Sequence, residues 1–355
     1  MKGKQKANLR ADSGEIRRSD LKSFRLRNDN GMEVEFLNYG GIIKSILVPD
    51  KNGVLEDVVL GFSDSGDYLG DHPYFGTLVG RYCNRIAGGQ FAIDGQSFQL
   101  PTNSAGNCLH GGVAGFSHKL WQVSLFDGKD EIGAELFYIS PDGEEGFPGN
   151  LRLTACYILS KDNVLSIHYA AVTDAPTVIN LTNHSYFNLA GRGDILDHEL
   201  TINANAITPV NSNLIPTGDF QQVADGPFDF RSSIPIGLRI NSDNEQMQLT
   251  GGYDHNFVLD CQTPDELELA AMLHDSASGR TLEVLTTEPG MQLYTTNFEN
   301  PKLIGKGGQS YPKHAAVCLE TQHFPNSPNQ ARFPSTVLRP GEIYKSRTDY
   351  SFGIR

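Results

Sequence analysis

The sequence predicts an all-β protein, and three observations carry that prediction. Apolar residues alternate with a period of two almost everywhere, windows of helical periodicity are scarce, and 37 glycines and 18 prolines punctuate the chain at short intervals. Many short strands of this kind build a large sandwich or a curved, barrel-like sheet. No internal repeat, low-complexity tract or linker divides the chain, so one domain is expected over residues 23–355, preceded by a polar N-terminal tail at 1–22.

The elements follow in order. Val34 and Phe36 alternate with Glu33 and Glu35. Phe91 and Ile93 lead into Asp94-Gly95, a hairpin signal, and the chain returns through Phe98 and Leu100. Trp121, Val123 and Leu125 share a face before Asp127-Gly128, and Ala134, Leu136 and Tyr138 share one on the way back. Leu151, Leu153, Ala155, Tyr157 and Leu159 line one side of a longer strand, and Ile167, Tyr169 and Ala171 line its return. Further strands are expected at Leu200 to Ile207, Phe257 to Asp260, Thr281 to Leu285 and Ala316 to Glu320, with the last ones around Pro340-Gly341. Short helices are expected near Ser63 to Gly70 and Ser242 to Leu249.

Composition narrows the function. The 29 basic against 42 acidic residues leave a net charge of −13, which argues against a nucleic-acid or anionic-membrane partner. No apolar run approaches the roughly 20 residues of a membrane span, and the N-terminus has no apolar signal core, so a cytoplasmic location is expected. The five cysteines are far apart and form no C-x-x-C pair; they read as small, reduced hydrophobes. The ten histidines show no H-E-x-x-H spacing, so no metal and no cofactor is expected.

Chemistry concentrates in a few polar stretches. The richest, NLTNHSYFNLAG from Asn180 to Gly191, sets amides and His184 beside Tyr186 and Phe187. Groups that hydrogen-bond beside rings that stack suit a sugar-binding surface; a buried turn that satisfies its own backbone is the alternative. GRYCNRIAGGQF, from Gly80, places Arg81, Asn84 and Arg85 among glycines, either to approach a ligand or to form a salt-bridged turn. His110 precedes Gly111-Gly112 and is expected to be exposed, with an imidazole able to reach a ligand hydroxyl. Asp254, at the entry to a strand, is a ligand or a turn cap. Gln292 would point away from Met291 and Leu293, and Glu320 away from Val317 and Leu319. A glutamate so placed is either solvated or held in a site.

Taken together and in this order, the motifs resemble one family. NYGG at Asn38, PYFG at Pro73, GRYCNRIAGG, LHGG, EEGFPGNL at Glu144, NLTNHSYFNLAG, DHNF, EPGMQLYT, CLETQHFPNSPNQ and LRPGE at Leu338 look like the aldose 1-epimerases, the galactose mutarotases. The resemblance runs from about Asn38 to Phe352; Ala331 stands where a proline is common, and the N-terminal tail matches nothing distinctive.

The resemblance implies a large antiparallel β-sandwich whose curved, concave sheet holds the sugar. It implies interconversion of the α and β anomers of a free hexose such as galactose or glucose, with no cofactor, by a monomer or weak homodimer. A proton leaves the anomeric hydroxyl, another reaches the ring oxygen, the pyranose opens, the C1–C2 bond turns, and the ring recloses. By the family motif Glu320 matches the base at the C1 hydroxyl and His184 the acid at the ring oxygen. Asn84, Arg85, His110, Tyr186, Asp254 and Gln292 match residues that hold the sugar. Reference pKa values of about 4.3 and 6.5 would leave Glu320 ionised and His184 ready to donate, the more so if Asp254 and Glu320 hold it protonated. The rivals are a glycoside hydrolase with an Asp254/Glu320 carboxylate pair, a non-catalytic sugar-binding module, and a variant acting on hexose 6-phosphates, which would need more basic residues at the rim.

Overall fold

In the computed structural model the described residues are 16–260, 263, 266–300 and 302–355. Two antiparallel sheets face each other. The wider has nine strands in the order Gln122–Asp127, Glu131–Ser140, Leu151–Ser160, Val164–Thr173, Tyr344–Ile354, Arg280–Thr286, Glu268–His274, Glu199–Ile202 and Ile234–Pro235. The narrower has five, ordered Gln221–Gln222, Ala204–Thr208, Asp254–Leu259, Gly290–Tyr294 and Cys318–Gln322. A four-stranded meander of Ser23–Arg27, Glu33–Leu37, Ile43–Pro49 and Leu55–Asp57 completes the sandwich.

The period-two pattern explains the core. Phe257, Met291, Leu293 and Leu319 of the five-stranded sheet join Leu273, Leu282, Val284, Tyr350 and Phe352 of the nine-stranded one in a single buried cluster. Each such side chain contributes about 1.5–3 kcal/mol by leaving water. Because successive residues of a strand point to opposite faces, the inward apolar set forces the intervening polar residues onto the other face of the narrower sheet. That face becomes the site.

Several local expectations hold, and some are corrected. Asp94-Gly95 forms a two-residue hairpin between Gln90–Ile93 and Gln96–Gln99, with φ of 53° and 81° at the two loop residues. The expected strand from Leu200 to Ile207 is two. It breaks at Asn203 and changes sheet, because the Asn203 amide donates to the Leu269 carbonyl while its backbone bridges to Ala270 and Asp260. The helix expected near Ser63 is a short 3-10 segment, Ser65–Leu69, whose cap is Asp64. The second is a single α-turn, Glu245–Thr250, between the Asn244 cap and a left-handed Gly251. The apolar face expected through Leu125 is not fully covered: Leu125 is 58% exposed, on the strand that edges the nine-stranded sheet.

Residues 1–15 of the expected tail lie outside the described residues, as does Cys261. Ile16 and Leu21 pack against the second apolar cluster, which includes Tyr39, Phe62, Phe75 and Tyr186. Cys83, Cys108, Cys156 and Cys318 are free thiols, and all but Cys156 are buried. Among the described residues no helix is long and apolar enough to cross a membrane.

Candidate active site

The site is built on three adjacent strands of the narrower sheet. Asn256, Gln292 and Glu320 stand side by side in register across Asp254–Leu259, Gly290–Tyr294 and Cys318–Gln322. Their apolar neighbours Phe257, Met291, Leu293 and Leu319 face the core, so this polar row faces away from it. Asp254, two residues before Asn256, accepts from the Gln292 amide at 2.6 Å.

His184 reaches this row from the Asn180-to-Gly191 stretch. Its Nε2 lies 3.7 Å from Glu320 Oε1, and both side chains are buried. The imidazole sits in a stack of rings, with Tyr186 on one side at 4.9 Å and 10° and Tyr74 near-parallel at 6.1 Å and 13°. Tyr294 meets the imidazole edge-on at 6.5 Å. The Tyr186 hydroxyl donates to the Pro73 carbonyl and the residue is 2% exposed, so this ring backs the imidazole and does not turn its hydroxyl to a ligand. Tyr186 thus stands beside His184 in the wall of the site, with its ring and not its hydroxyl toward the imidazole.

The third part is a pair of facing loops. Asn84 donates its backbone N–H to His110 Nδ1 at 3.2 Å and accepts the His110 N–H on its carbonyl at 3.0 Å. Its side-chain oxygen accepts the Arg85 N–H at 2.9 Å, and Arg85 lies 3.7 Å from Asp254 Oδ2. Tyr74, Asn84 and His110 all have left-handed backbone, with φ of 60°, 57° and 53°, a conformation that concentrates at functional sites. His110 is buried, against the exposed position expected of it. The reason is Gly111: a Cβ there would meet the Gly80 carbonyl oxygen at 2.0 Å, so only glycine lets the loop close down and carry the imidazole inward. The two imidazole rings of His110 and His184 then lie 5.2 Å apart.

Burial sets the protonation here. It pushes His184 down to about 3, and His110 well below the ordinary histidine range, where His184 and Arg85 add to the effect. It pushes Glu320 well above the ordinary carboxylate range, with the Asp254 charge adding and Arg85 opposing. The expectation of an ionised Glu320 beside a protonated His184 is therefore corrected for the free site. Two groups starved of water favour the neutral arrangement, with the proton on the carboxyl.

Comparison with known proteins accords with this geometry. The aldose 1-epimerase family pattern matches residues 22–351. The chain belongs to the aldose 1-epimerase family. It is 44% identical to a galactose mutarotase of Rattus norvegicus over 336 residues, 94% of each chain. It is 36% identical to an aldose 1-epimerase of Escherichia coli over 330 residues, 92% of this chain and 94% of the other. Among solved structures, a galactose 1-epimerase of Lactobacillus acidophilus superposes with a TM-score of 0.83 at 32% identity, covering 94% of this chain and 95% of the other. An aldose epimerase homologue from C. elegans gives 0.86 at 28% identity, covering 94% and 99%.

Within this aldose 1-epimerase fold the sequence clusters separate into site and scaffold. Arg81 and Arg85, four apart, part company. Arg81 is 1% exposed and donates to the carbonyls of Pro148 and Gly149 and to Ser140 Oγ, a purely internal brace. Arg85 faces Asp254. The Pro- and Asn-rich stretch after His323 braces the same loop: Asn326 donates its N–H to the Arg85 carbonyl at 2.8 Å and accepts from the Ala87 N–H. Sequence reasoning missed Tyr74 and Tyr294 as site residues. Tyr74 had a signal in the PYFG motif, and Tyr294 had one in sharing a strand face with Gln292. Sequence spacing also gave no metal-ligand set, yet the fold gathers one nitrogen each of His110 and His184 and one oxygen of Glu320 within 4.8 Å of one another.

Proposed function

We propose that His184 and Glu320 exchange the two protons of mutarotation in this aldose 1-epimerase, acting on a free hexose such as galactose or glucose. The carrying observation is the buried contact of His184 Nε2 with Glu320 Oε1 at 3.7 Å, on a face lined by amides and hydroxyl-binding groups. Glu320 takes the C1 hydroxyl proton while His184 donates to the ring oxygen, and the pyranose opens to the aldehyde. The C1–C2 bond turns. On reclosure, protonated Glu320 returns its proton to the carbonyl oxygen, and neutral His184 takes one from the ring hydroxyl.

Proton counting supports the pair acting as one unit. Carboxylate plus imidazolium and carboxyl plus imidazole hold the same single proton. Ring opening converts the first arrangement into the second, which is the one that burial favours. A dry site thus destabilises the charged pair that must react and stabilises the neutral pair that faces the open-chain sugar.

His110, Asn84, Arg85, Asp254 and Gln292 hold the sugar in this reading. The hydrolase rival loses support because both Asp254 oxygens are engaged, Oδ1 by Gln292 and Oδ2 by Arg85. A non-catalytic module has no need of the buried His184–Glu320 contact. The direct test is polarimetry on freshly dissolved α-D-galactose and α-D-glucose. The reading requires that the protein speed the approach to anomeric equilibrium and leave methyl glycosides, which cannot open, untouched.

A further inference from the structure

We propose that Tyr74 is the positioning residue of His184: its ring, with that of Tyr186, holds the plane of the imidazole that hands a proton to the sugar. Hydrogen bonding does not supply that support. A working imidazole is usually aimed by a hydrogen bond on the nitrogen that does not react. His184 Nε2 lies 3.7 Å from Glu320, whereas its Nδ1 is buried and, among the described residues, has no hydrogen-bond partner outside its own residue. His110 is the contrast. Its Nδ1 accepts the Asn84 N–H at 3.2 Å and its own N–H donates to the Asn84 carbonyl at 3.0 Å, so that ring is aimed without further help.

His184 has rings instead. The planes of Tyr186 and Tyr74 lie 10° and 13° from that of the imidazole, with centroids 4.9 and 6.1 Å away. Near-parallel rings at these distances oppose rotation of the imidazole out of their common plane. Glu320 then selects which edge of the imidazole meets the carboxyl. The ring of Tyr74 makes these contacts, and it also meets His110 at 4.6 Å.

The turn that carries Tyr74 is fastened to the His184 stretch. Tyr74 has φ of 60°, a left-handed conformation uncommon for a bulky residue. Within residues 73–77 the Pro73 carbonyl accepts the Tyr186 hydroxyl at 2.7 Å. The Gly76 N–H donates to the His184 carbonyl and the Thr77 carbonyl accepts the His184 N–H, each at 2.9 Å. On the other side the Ile43 N–H donates to the Gly76 carbonyl at 2.8 Å. A Cβ on Gly76 would run into the Ile43 carbonyl, so glycine lets the turn lie against the strand Ile43–Pro49. The four-stranded meander thereby brings the ring to the imidazole.

The catalytic consequence rests on the acid–base reading above; the placement of the imidazole does not, and two measurements separate them. NMR spectra of protein with isotope-labelled histidine report placement, the His184 signals being assigned by their loss in His184→Asn. Tyr74→Asn, which tolerates the left-handed backbone and lacks the ring, should move the His184 imidazole signals and leave those of His274, paired with Glu199 elsewhere on the molecule, in place. Polarimetric rates on galactose report function. Tyr74→Asn should lower kcat about ten- to a hundredfold with KM little changed, and Tyr74→Phe should recover most of that loss. In a His184→Asn background Tyr74→Asn should cost less than about twofold, because the group it positions is gone. Tyr74→Gly takes the place of Tyr74→Asn if that variant does not fold. Unmoved His184 signals, or a kcat loss of the same factor with and without His184, overturn the proposal. A rise in KM with kcat unchanged would make Tyr74 a sugar contact and overturn the positioning role. Moved signals together with a wild-type kcat for His184→Asn would leave Tyr74 as the residue that holds the imidazole and overturn the acid–base reading alone.

Discussion

Gln292 stands directly opposite Glu320 in the ladder between Gly290–Tyr294 and Cys318–Gln322, and its amide donates to Asp254 at 2.6 Å. One side chain thus fixes the carboxylate whose charge helps to push Glu320 up. Glu320 is tuned by a neighbour that is itself pinned, and the consequences can be measured.

Glu320→Gln keeps size and hydrogen bonding but cannot accept the C1 proton. Turnover should fall by the roughly 10²- to 10⁴-fold typical of general-base loss, with sugar affinity little changed. A variant with near wild-type kcat in polarimetric assays would sink the assignment. His184→Asn should lower kcat similarly and raise KM as well.

The pH profile belongs to the pair. Activity needs one proton shared by His184 and Glu320, so it is lost when the pair gains a second proton or gives up its only one. With His184 pushed down to about 3, kcat/KM should stay flat through pH 6.5 as the pH falls, with the acid limb near about 3. The alkaline limb should lie above the ordinary carboxylate range, because Glu320 is raised. An inflection near 6.5 in the wild-type profile, absent from His184→Asn, would contradict this.

Asp254 and Arg85 should move the alkaline limb in opposite directions. Asp254 raises Glu320, so Asp254→Asn should lower that limb; Arg85 opposes, so Arg85→Met should raise it. Both variants should also bind sugar less well. Equal shifts of the same sign in the two kcat/KM profiles would refute the electrostatic account.

Arg81→Met should act on stability. It strands the carbonyls of Pro148 and Gly149 in the interior, at about 1–3 kcal/mol for each acceptor left unsatisfied, while the Ser140 hydroxyl keeps its bond to Glu144. Urea denaturation should show a loss of at least about 2 kcal/mol. A midpoint unchanged from wild type would show that the guanidinium is dispensable.

Sequence by itself determined most of the strands and the faces of those that carry the site. Alternation at Gln292 and Glu320 placed these side chains opposite their apolar neighbours, and the structure has them so, since a strand has only two faces and the core claims one. The Asp94-Gly95 hairpin was legible for a similar reason: its backbone conformation depends on the two residues themselves. Tertiary structure decided the rest. Arg81 and Arg85 look alike in sequence, and only packing sends one to internal carbonyls and the other to Asp254. His110 was expected at the surface, and it is buried because Gly111 closes against the Gly80 carbonyl, a contact between segments some thirty residues apart in the numbering. The protonation of His184 and Glu320 was misjudged from their reference values for the same physical reason: local sequence carries a group's identity, whereas its pKa depends on how much water the assembled fold removes from around it.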